Sequence, residues 1–191
     1  MYYNGAQGDQ APTARPGASD NWEKAERYGR ELGIQVWKLW QSIRPEIEPA
    51  FACHVEQIQL PKRTWHPDFL KTGGAEYGLN DSNIRAVIEG MSPETTHSIS
   101  LRLGELVIAG VPGELVAVLG DDVKARIRRS LGVRHAVIGG LADEWISYML
   151  TPEEYRKGDY EASISFYGER LGPVIVDAVT RGAGRLANTR H

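Results

Sequence analysis

The stretch 104–141 constrains the fold of this chain more than any other part of its sequence. An apolar run, Leu-Val-Ile-Ala-Gly-Val at 106–111, is typical of a buried strand covered on both faces. It stops at a Pro-Gly pair, after which a helix is predicted over 115–130 and a second apolar strand over 135–141. A strand, a helix and a strand in this order predict two parallel strands. The expected fold class is therefore α/β, with a mixed, partly parallel sheet and flanking helices.

Helix caps and apolar periodicity predict the other elements. Apolar residues at spacings of three and four after Asp20 indicate an amphipathic helix that ends before Pro45. The run Thr151-Pro152-Glu153-Glu154 is typical of a helix start. The remaining elements are an extended segment at 52–60, expected at a sheet edge, a short helix at 82–90 with Asn80 as its cap, and a last helix at 169–182.

Three stretches are expected to be irregular because of their composition. Residues 5–20 are rich in Gly, Ala, Pro and Asp, the residue types of a loop. Residues 61–80 contain three glycines and two prolines and predict a long loop, which often borders a site. Residues 183–191 are predicted to form a fraying tail.

Length, charge and cysteine usage exclude several classes of protein. The 191 residues suit one domain or part of a larger one. With 22 basic and 25 acidic residues the net charge is −3, which argues against a general nucleic-acid binder. No apolar run approaches the roughly 18–20 residues that span a bilayer. Cys53 is the single cysteine, so an intrachain disulfide is excluded, while the compartment stays open.

The common catalytic and metal motifs are absent from the sequence. It contains no HExxH, CxxC, EF-hand, GxSxG or phosphate-binding glycine-loop pattern. Each of the five histidines stands alone, and a lone histidine is more often structural or solvent-exposed than a metal ligand. A site must therefore be sought from position in the fold.

Position singles out Glu114, which follows the strongest predicted strand. In open α/β sheets, ligands bind beyond the carboxyl ends of the strands, and Val111-Pro112-Gly113-Glu114 lies there. Glu114 would then point into that crevice from the start of a helix. The alternative is an exposed first-turn glutamate favoured by the helix dipole, and position alone favours this alternative.

An aromatic cluster follows the second predicted strand in the same way. Trp145, Tyr148, Tyr155 and Tyr160 lie within 16 residues. They could present phenol hydroxyls to the crevice of Glu114, where a phenol can ligate a metal or donate to an oxyanion. The alternative is aromatic packing, which position alone again favours.

Four segments together resemble the neutral/alkaline non-lysosomal ceramidase family. They are LRLGELVIAGVPGELVAVLG, VIGGLADEWISYMLTPEEYRKGDYEAS, FYGERLG and the opening YNGAQGDQAP, similar to the family's GD-x-x-P loop. Members are zinc amidohydrolases that cleave the N-acyl bond of ceramide to a sphingoid base and a fatty acid. The resemblance implies that residues 1–191 correspond to the C-terminal part of the catalytic domain.

The resemblance also implies roles for three residues. The family's zinc, one ion per complete site, is held by two histidines, a glutamate and a tyrosine. The glutamate of the PGE turn corresponds to Glu114, and the tyrosine before the TPEEY-like helix start corresponds to Tyr148. A second tyrosine, in a later YE pair, binds and polarises the scissile carbonyl, and it corresponds to Tyr160. The implied substrate is a lipid amide.

Two departures from the family pattern qualify this expectation. The family's histidine ligands lie upstream of the GD-x-x-P loop, so the sequence predicts a fragment whose partner would be a missing N-terminal half. The family carries a serine in GDVSP, whereas Ala11 stands there in this chain. A non-catalytic relative that binds a lipid or a partner is therefore the alternative function.

Overall fold

The computed structural model describes residues 3–12, 17, 19–45 and 49–188, with the side chain of residue 188 left out. The described chain divides into two compact units. The larger unit comprises residues 3–10 and 50–188, and the smaller unit lies within residues 11–49. None of the described helices is long and apolar enough to cross a membrane.

The smaller unit is dominated by one long helix, α1 (Asn21–Ser42). Asp20 caps it as predicted, since its carboxylate accepts a hydrogen bond of 2.8 Å from the backbone N–H of Glu23. Ion pairs one turn apart, such as Glu26 with Arg30, support the helix. The apolar residues that predicted this helix, including Leu39 and Trp40, lie on its exposed surface.

The larger unit contains six strands and six helices among its described residues, with 3₁₀ turns at Pro67–Lys71 and Arg185–Asn188. The strands are short, and the helices range from single turns to the two long ones that pack on the sheet. In chain order the elements are β1 (Phe51–Gln59), α2 (Gly73–Glu76), α3 (Ile84–Met91), β2 (Thr95–Leu103), β3 (Leu106–Gly110), β4 (Glu114–Leu115), α4 (Ala117–Leu131), β5 (His135–Gly139), β6 (Tyr148–Met149), α5 (Pro152–Lys157), α6 (Asp159–Ser163) and α7 (Leu171–Gly184).

Four of these strands form a mixed sheet in the order β1-β2-β3-β5. The β1, β2 and β3 strands pair antiparallel, and β3 pairs parallel with β5, Leu106 opposite His135 and Gly110 opposite Gly139. The predicted α/β class, the parallel pair and the edge position of β1 are therefore confirmed. A second, two-stranded sheet joins β4 and β6 in parallel.

One face of the sheet is packed by α4 and α7. Val107 and Ala109 of β3 and Ile138 of β5 are buried on that face. The two helices contribute buried residues to the same core, Val123 and Ile127 from α4 and Ile175 and Val179 from α7. Gly132 ends α4 in the left-handed conformation, with φ of 62°, as its sequence predicts.

The opposite face of the sheet is apolar but only half-buried. Along β2 the buried residues are Thr96, Ser98 and Ser100, whereas Ile99 and Leu101 are only partly buried. The expectation that the apolar run at 106–111 is covered on both faces is thus wrong for the described residues. Alternate residues of β3, including Ile108, remain half-buried on the outer side.

Three local expectations also differ from the structure. The stretch 61–80 is not all loop, since it contains a 3₁₀ turn and α2. Helix α3 begins at Ile84 with Asn83 in the cap position, because the Asn80 side chain instead accepts from the N–H of Ser82. The predicted tail is ordered up to residue 188, with Leu186 buried, and residues 189–191 lie outside the described residues.

An ion pair between β1 and α7 generates a pH-dependent prediction. Burial opposes ionisation of Glu56, but hydrogen bonds from Arg181 Nε, at 2.6 Å, and from His54 outweigh it and hold the pKa of Glu56 below its ordinary value. Because folding lowers the pKa of Glu56, its ionised carboxylate stabilises the fold at pH values above the unfolded-state pKa. This stabilisation is lost as the pH falls through the folded-state pKa. We expect Glu56→Gln to lower the free energy of unfolding at pH 7 by about 1 kcal/mol, and much less at about pH 3.

Urea unfolding at the two pH values measures this effect. Glu153→Gln is the matched control, since Glu153 pairs with Lys157 on an exposed helix surface and should change neither curve. An equal loss of stability at both pH values in Glu56→Gln would contradict the assignment.

Candidate functional site

Glu114 and Tyr148 are direct neighbours across the small parallel sheet. They are register partners in the pairing of β4 with β6. The Glu114 N–H donates to Ser147 O at 3.1 Å, and the N–H of Val116 donates to Met149 O at 3.2 Å. The structure therefore brings together two residues that stand far apart in sequence. The expectation that Glu114 opens a helix is wrong, because two residues of strand precede α4.

The glycine before Glu114 allows the two segments to approach closely. A Cβ atom at Gly113 would lie 2.5 Å from Ser147 O and 2.8 Å from Met149 Cε. The N–H of Ile146 donates to Pro112 O at 2.8 Å across the same contact. Gly113 is required here because a side chain would separate the backbones of β4 and β6.

Trp145 fixes the carboxylate of Glu114 from one side. Its indole Nε1–H donates to Glu114 Oε1 at 2.9 Å, and its ring meets Tyr148 edge-on with 6.4 Å between the ring centroids. Burial, followed by the negative charge of Glu114 and a hydrogen bond to it, raises the pKa of the Tyr148 phenol. With these neighbours alone, the phenol is neutral at ordinary pH.

Tyr160 lies next to Tyr148, on the short helix α6 that follows a tight turn after α5. Thr151 and Glu154 form the predicted capping box of α5, and α5 ends at Lys157 with Gly158 as its C-cap, whose φ of 90° favours glycine. The next turn, α6, carries Tyr160, whose ring centroid is 5.9 Å from that of Tyr148 at an interplanar angle of 75°. Tyr160 is 59% exposed, so its hydroxyl is accessible to a ligand.

The opening loop supports the same region through its backbone and one carboxylate. Gly8 is buried, and its N–H donates to Leu115 O at 2.9 Å. Asp9 Oδ1 accepts from the N–H of Ala117 at 2.8 Å and so caps α4, whose own cap position is occupied by Val116. Sequence reasoning missed this cap because the two partners are more than a hundred residues apart.

The structure gathers three of the four aromatic residues that the sequence placed near Glu114. Trp145, Tyr148 and Tyr160 line up edge to face beside it. Tyr155 points elsewhere, with its ring 5.2 Å from that of His66. The donor role of Trp145 was not predicted, because an indole N–H has no sequence signal of its own.

Glu114 and Tyr148 fit part of a zinc site. Glu114 and Tyr148 occupy paired positions on two neighbouring strands. Their side chains offer a carboxylate oxygen and a phenol oxygen, and oxygen donors of this kind bind zinc. Among the residues that the structure describes, no group of three or more His, Cys, Asp or Glu side chains is arranged to hold a metal. A catalytic zinc usually has three protein ligands, so these two residues alone would not complete such a site.

Comparison with known proteins identifies related chains. The family model of neutral/alkaline non-lysosomal ceramidase, N-terminal, matches residues 36–175. Neutral ceramidase 2 of Arabidopsis thaliana is 31% identical over 185 residues, covering 92% of this chain and 21% of the relative. Neutral ceramidase 3 of the same plant is 38% identical over 163 residues, covering 82% of this chain and 19% of the relative.

The fold is shared with a solved structure. Neutral ceramidase from Pseudomonas aeruginosa matches with a TM-score of 0.75 at 16% sequence identity, over 97% of this chain and 37% of that chain. The present chain thus spans about a fifth of the two plant relatives and just over a third of the solved bacterial chain.

The close approach at Gly113 generates a stability prediction. We expect Gly113→Ala to lower the free energy of unfolding by about 1–3 kcal/mol, since its methyl group would meet a backbone carbonyl that cannot move away. Gly90→Ala is the matched control, because a Cβ atom there has open space within α3. It should raise the free energy of unfolding by about 0.5–1 kcal/mol. Urea unfolding of both variants measures the difference, and equal effects would contradict it.

Proposed function

Since this chain belongs to the neutral/alkaline non-lysosomal ceramidase family, we propose that it contributes the glutamate–tyrosine part of a zinc-dependent amidohydrolase site. Membership supports hydrolysis of ceramide as the activity of the complete protein. The proposed reaction is cleavage of the N-acyl amide bond of a ceramide-type lipid, which gives a sphingoid base and a fatty acid.

The observation that carries this proposal is the pairing of Glu114 with Tyr148. A carboxylate and a phenol stand on adjacent parallel strands, and the carboxylate is already oriented by Trp145. These are the residues that the family resemblance implies as ligands. Zinc, when bound, lowers the pKa of a bound water so that it can act as the nucleophile. Two histidines from outside this chain would complete the ligand set.

Tyr160 is proposed to stabilise the developing negative charge on the scissile carbonyl. Its phenol is exposed and lies next to the ring of Tyr148. A hydroxyl in this position can donate a hydrogen bond to the oxyanion of a tetrahedral intermediate. Protonation of the leaving amine requires a further group, distinct from Glu114, Tyr148 and Tyr160.

Trp145 is proposed as a positioning residue. By donating to Glu114 Oε1 it fixes the orientation of the carboxylate. Partners of this kind orient the groups that bind a metal directly and tune their basicity. Trp145→Phe keeps the ring and removes the donor.

The second candidate function is lipid binding without turnover. Ala11 favours it, because alanine replaces the serine of the family's loop and offers no hydroxyl. The retained Glu114, Tyr148 and Tyr160 favour the enzyme. The two functions differ in zinc content, since an enzyme requires the metal and a lipid-binding relative does not.

Zinc titration of the chain tests the ligand assignment. We expect Zn²⁺ to produce a tyrosinate difference spectrum, because coordination would deprotonate Tyr148. Glu114→Gln and Tyr148→Phe should each weaken zinc binding by about tenfold or more. Glu153→Gln, which changes an exposed carboxylate in the same unit, should bind zinc as the wild type does.

Hydrolysis of an N-acyl sphingosine tests the activity, with zinc added and with the chain joined to the segment that supplies the two histidines. The proposal expects turnover that requires Glu114 and falls in Tyr160→Phe with little change in zinc affinity. Zinc binding that is unchanged in both Glu114→Gln and Tyr148→Phe would refute the metal-site assignment. Zinc bound through both residues with no turnover would favour the lipid-binding alternative.

A further inference from the structure

Strand β1 forms one edge of the four-stranded sheet and is open for the addition of another strand. It pairs with β2 over nine consecutive residues, and no other described strand pairs with it. The opposite edge, β5, has only five residues. The opening segment lies beside the end of β5, since the N–H of Gly140 donates to Asn4 O at 2.9 Å. The long free edge of this sheet is therefore β1.

The hydrogen bonds with β2 show which backbone groups of β1 point to the free edge. The N–H of Leu60 donates to Glu94 O at 3.0 Å, and the N–H of Gly104 donates to Ala50 O at 2.8 Å. These two pairs continue the one-to-one register of β1 with β2 by one position at each end. Bonded pairs alternate along an antiparallel ladder, so the even-numbered residues of β1 bond to β2. The N–H and C=O groups that point away from β2 belong to Phe51, Cys53, Val55, Gln57 and Gln59.

Strand β1 lacks the features that usually protect a free edge. Natural edge strands are short, or carry lysine, proline or a bulge that prevents another strand from adding. The nine residues of β1 contain no lysine or proline, and their register with β2 has no bulge. Two side chains on the outer face are large and apolar, since Phe51 is 54% exposed and Val55 46%. Free backbone groups beside exposed apolar side chains favour binding of a further strand.

We propose that β1 pairs antiparallel with β1 of a second copy of this chain, with Val55 facing Val55 across a two-fold axis. In this register all five outward-pointing residues form hydrogen-bonded pairs, Cys53 with Gln57 and Phe51 with Gln59. The two four-stranded sheets then join as one sheet of eight strands. Because the same edge is used by both copies, the assembly closes as a dimer.

Side-chain complementarity favours a second copy in this register. His54 lies opposite Glu56 of the other copy on both sides of the axis, so an imidazole faces a carboxylate. The next pair on the same face joins Ala52 to Ile58, which are both buried in the apolar core. A two-fold axis one residue further along would place two Glu56 carboxylates opposite each other, and like charges in that position are destabilising. That axis would also leave Phe51 beyond the end of the partner strand.

The proposed dimer is independent of the proposed function. Strands β2 and β3 separate β1 from β5 in the sheet, and Glu114 and Tyr148 belong to the second sheet, of β4 and β6. Pairing of β1 requires neither zinc nor substrate, so it can be measured on the chain alone.

Sedimentation velocity of the chain over a range of protein concentrations tests the pairing, with a reductant present to keep Cys53 reduced. We expect a reversible equilibrium between monomer and dimer in the wild type. Val55→Pro should weaken dimerisation by about tenfold or more, because it removes an N–H donor at the axis from both copies. The bonds between β1 and β2 stay intact, since the N–H of Val55 points away from β2.

Two charge variants test the register, because residue 55 faces its own copy across the axis. Val55→Lys and Val55→Glu should each weaken self-association by about fivefold or more, since like charges then meet. An equimolar mixture of the two should recover the dimer fraction of the wild type, because lysine then faces glutamate. Leu103→Lys and Leu103→Glu are the matched controls, since Leu103 is 38% exposed and lies opposite Phe51 on the interior strand β2. They should dimerise within about twofold of the wild type.

A nitroxide attached to Cys53, the single cysteine, measures the register by a distance. Since Cys53 pairs with Gln57 of the other copy, the two labelled residues are four positions apart along the strands, about 14 Å between Cα atoms. We expect dipolar broadening of the EPR spectrum that disappears when labelled chain is diluted with an excess of unlabelled chain.

The proposal is overturned if the folded wild-type chain is monomeric at every concentration, or if Val55→Pro and both charge variants dimerise as the wild type does. Equal weakening by the Leu103 variants would place the contact on the outer face of the sheet and also overturn it. A mixture that does not recover the dimer would refute the register centred on Val55. Unchanged far-ultraviolet circular dichroism shows that each variant is folded, and the charge variants decide the outcome if Val55→Pro does not fold.

Discussion

The parallel pairing of β3 with β5 is the constraint on which the rest of the larger unit depends. It brings the carboxyl ends of both strands to one edge of the sheet, where Val111 N–H donates to Gly139 O at 2.9 Å. The chain that leaves each strand there forms β4 and β6, and their pairing continues the same parallel arrangement. Glu114 and Tyr148 therefore meet because of a hydrogen-bonding pattern that starts several residues earlier.

Much of this architecture could be predicted from local patterns, since capping residues and apolar periodicity depend on short stretches of chain. The α1 helix, the Gly132 helix end and the Thr151 capping box follow from such patterns. The two-residue strand at Glu114 could not, because its partner lies 34 positions further along the chain. The roles assigned to Glu114, Tyr148 and Tyr160 came from the family resemblance, since position alone favoured an exposed first-turn glutamate and simple aromatic packing.

Strand β2 departs from the usual alternation of apolar and polar residues. Alternation is usually interpreted with apolar residues facing the core, yet here Ser98 and Ser100 face the helices and Ile99 faces outward. Ser98 is accommodated because its hydroxyl donates to Gly110 O at 2.7 Å in the interior. Polarity along β2 therefore does not identify its covered face, whereas its antiparallel pairing with β1 and its contacts to α7 do.

The hydrogen bond from Trp145 to Glu114 has a consequence for affinity. A free glutamate side chain samples many rotamers, and immobilising such a side chain on binding costs about 0.5–1.5 kcal/mol. Here that loss of freedom occurs when the chain folds, since the indole and the neighbouring tyrosine already confine the carboxylate. A ligand that reaches Glu114 meets a preorganised acceptor, and more of the interaction energy remains available as binding free energy.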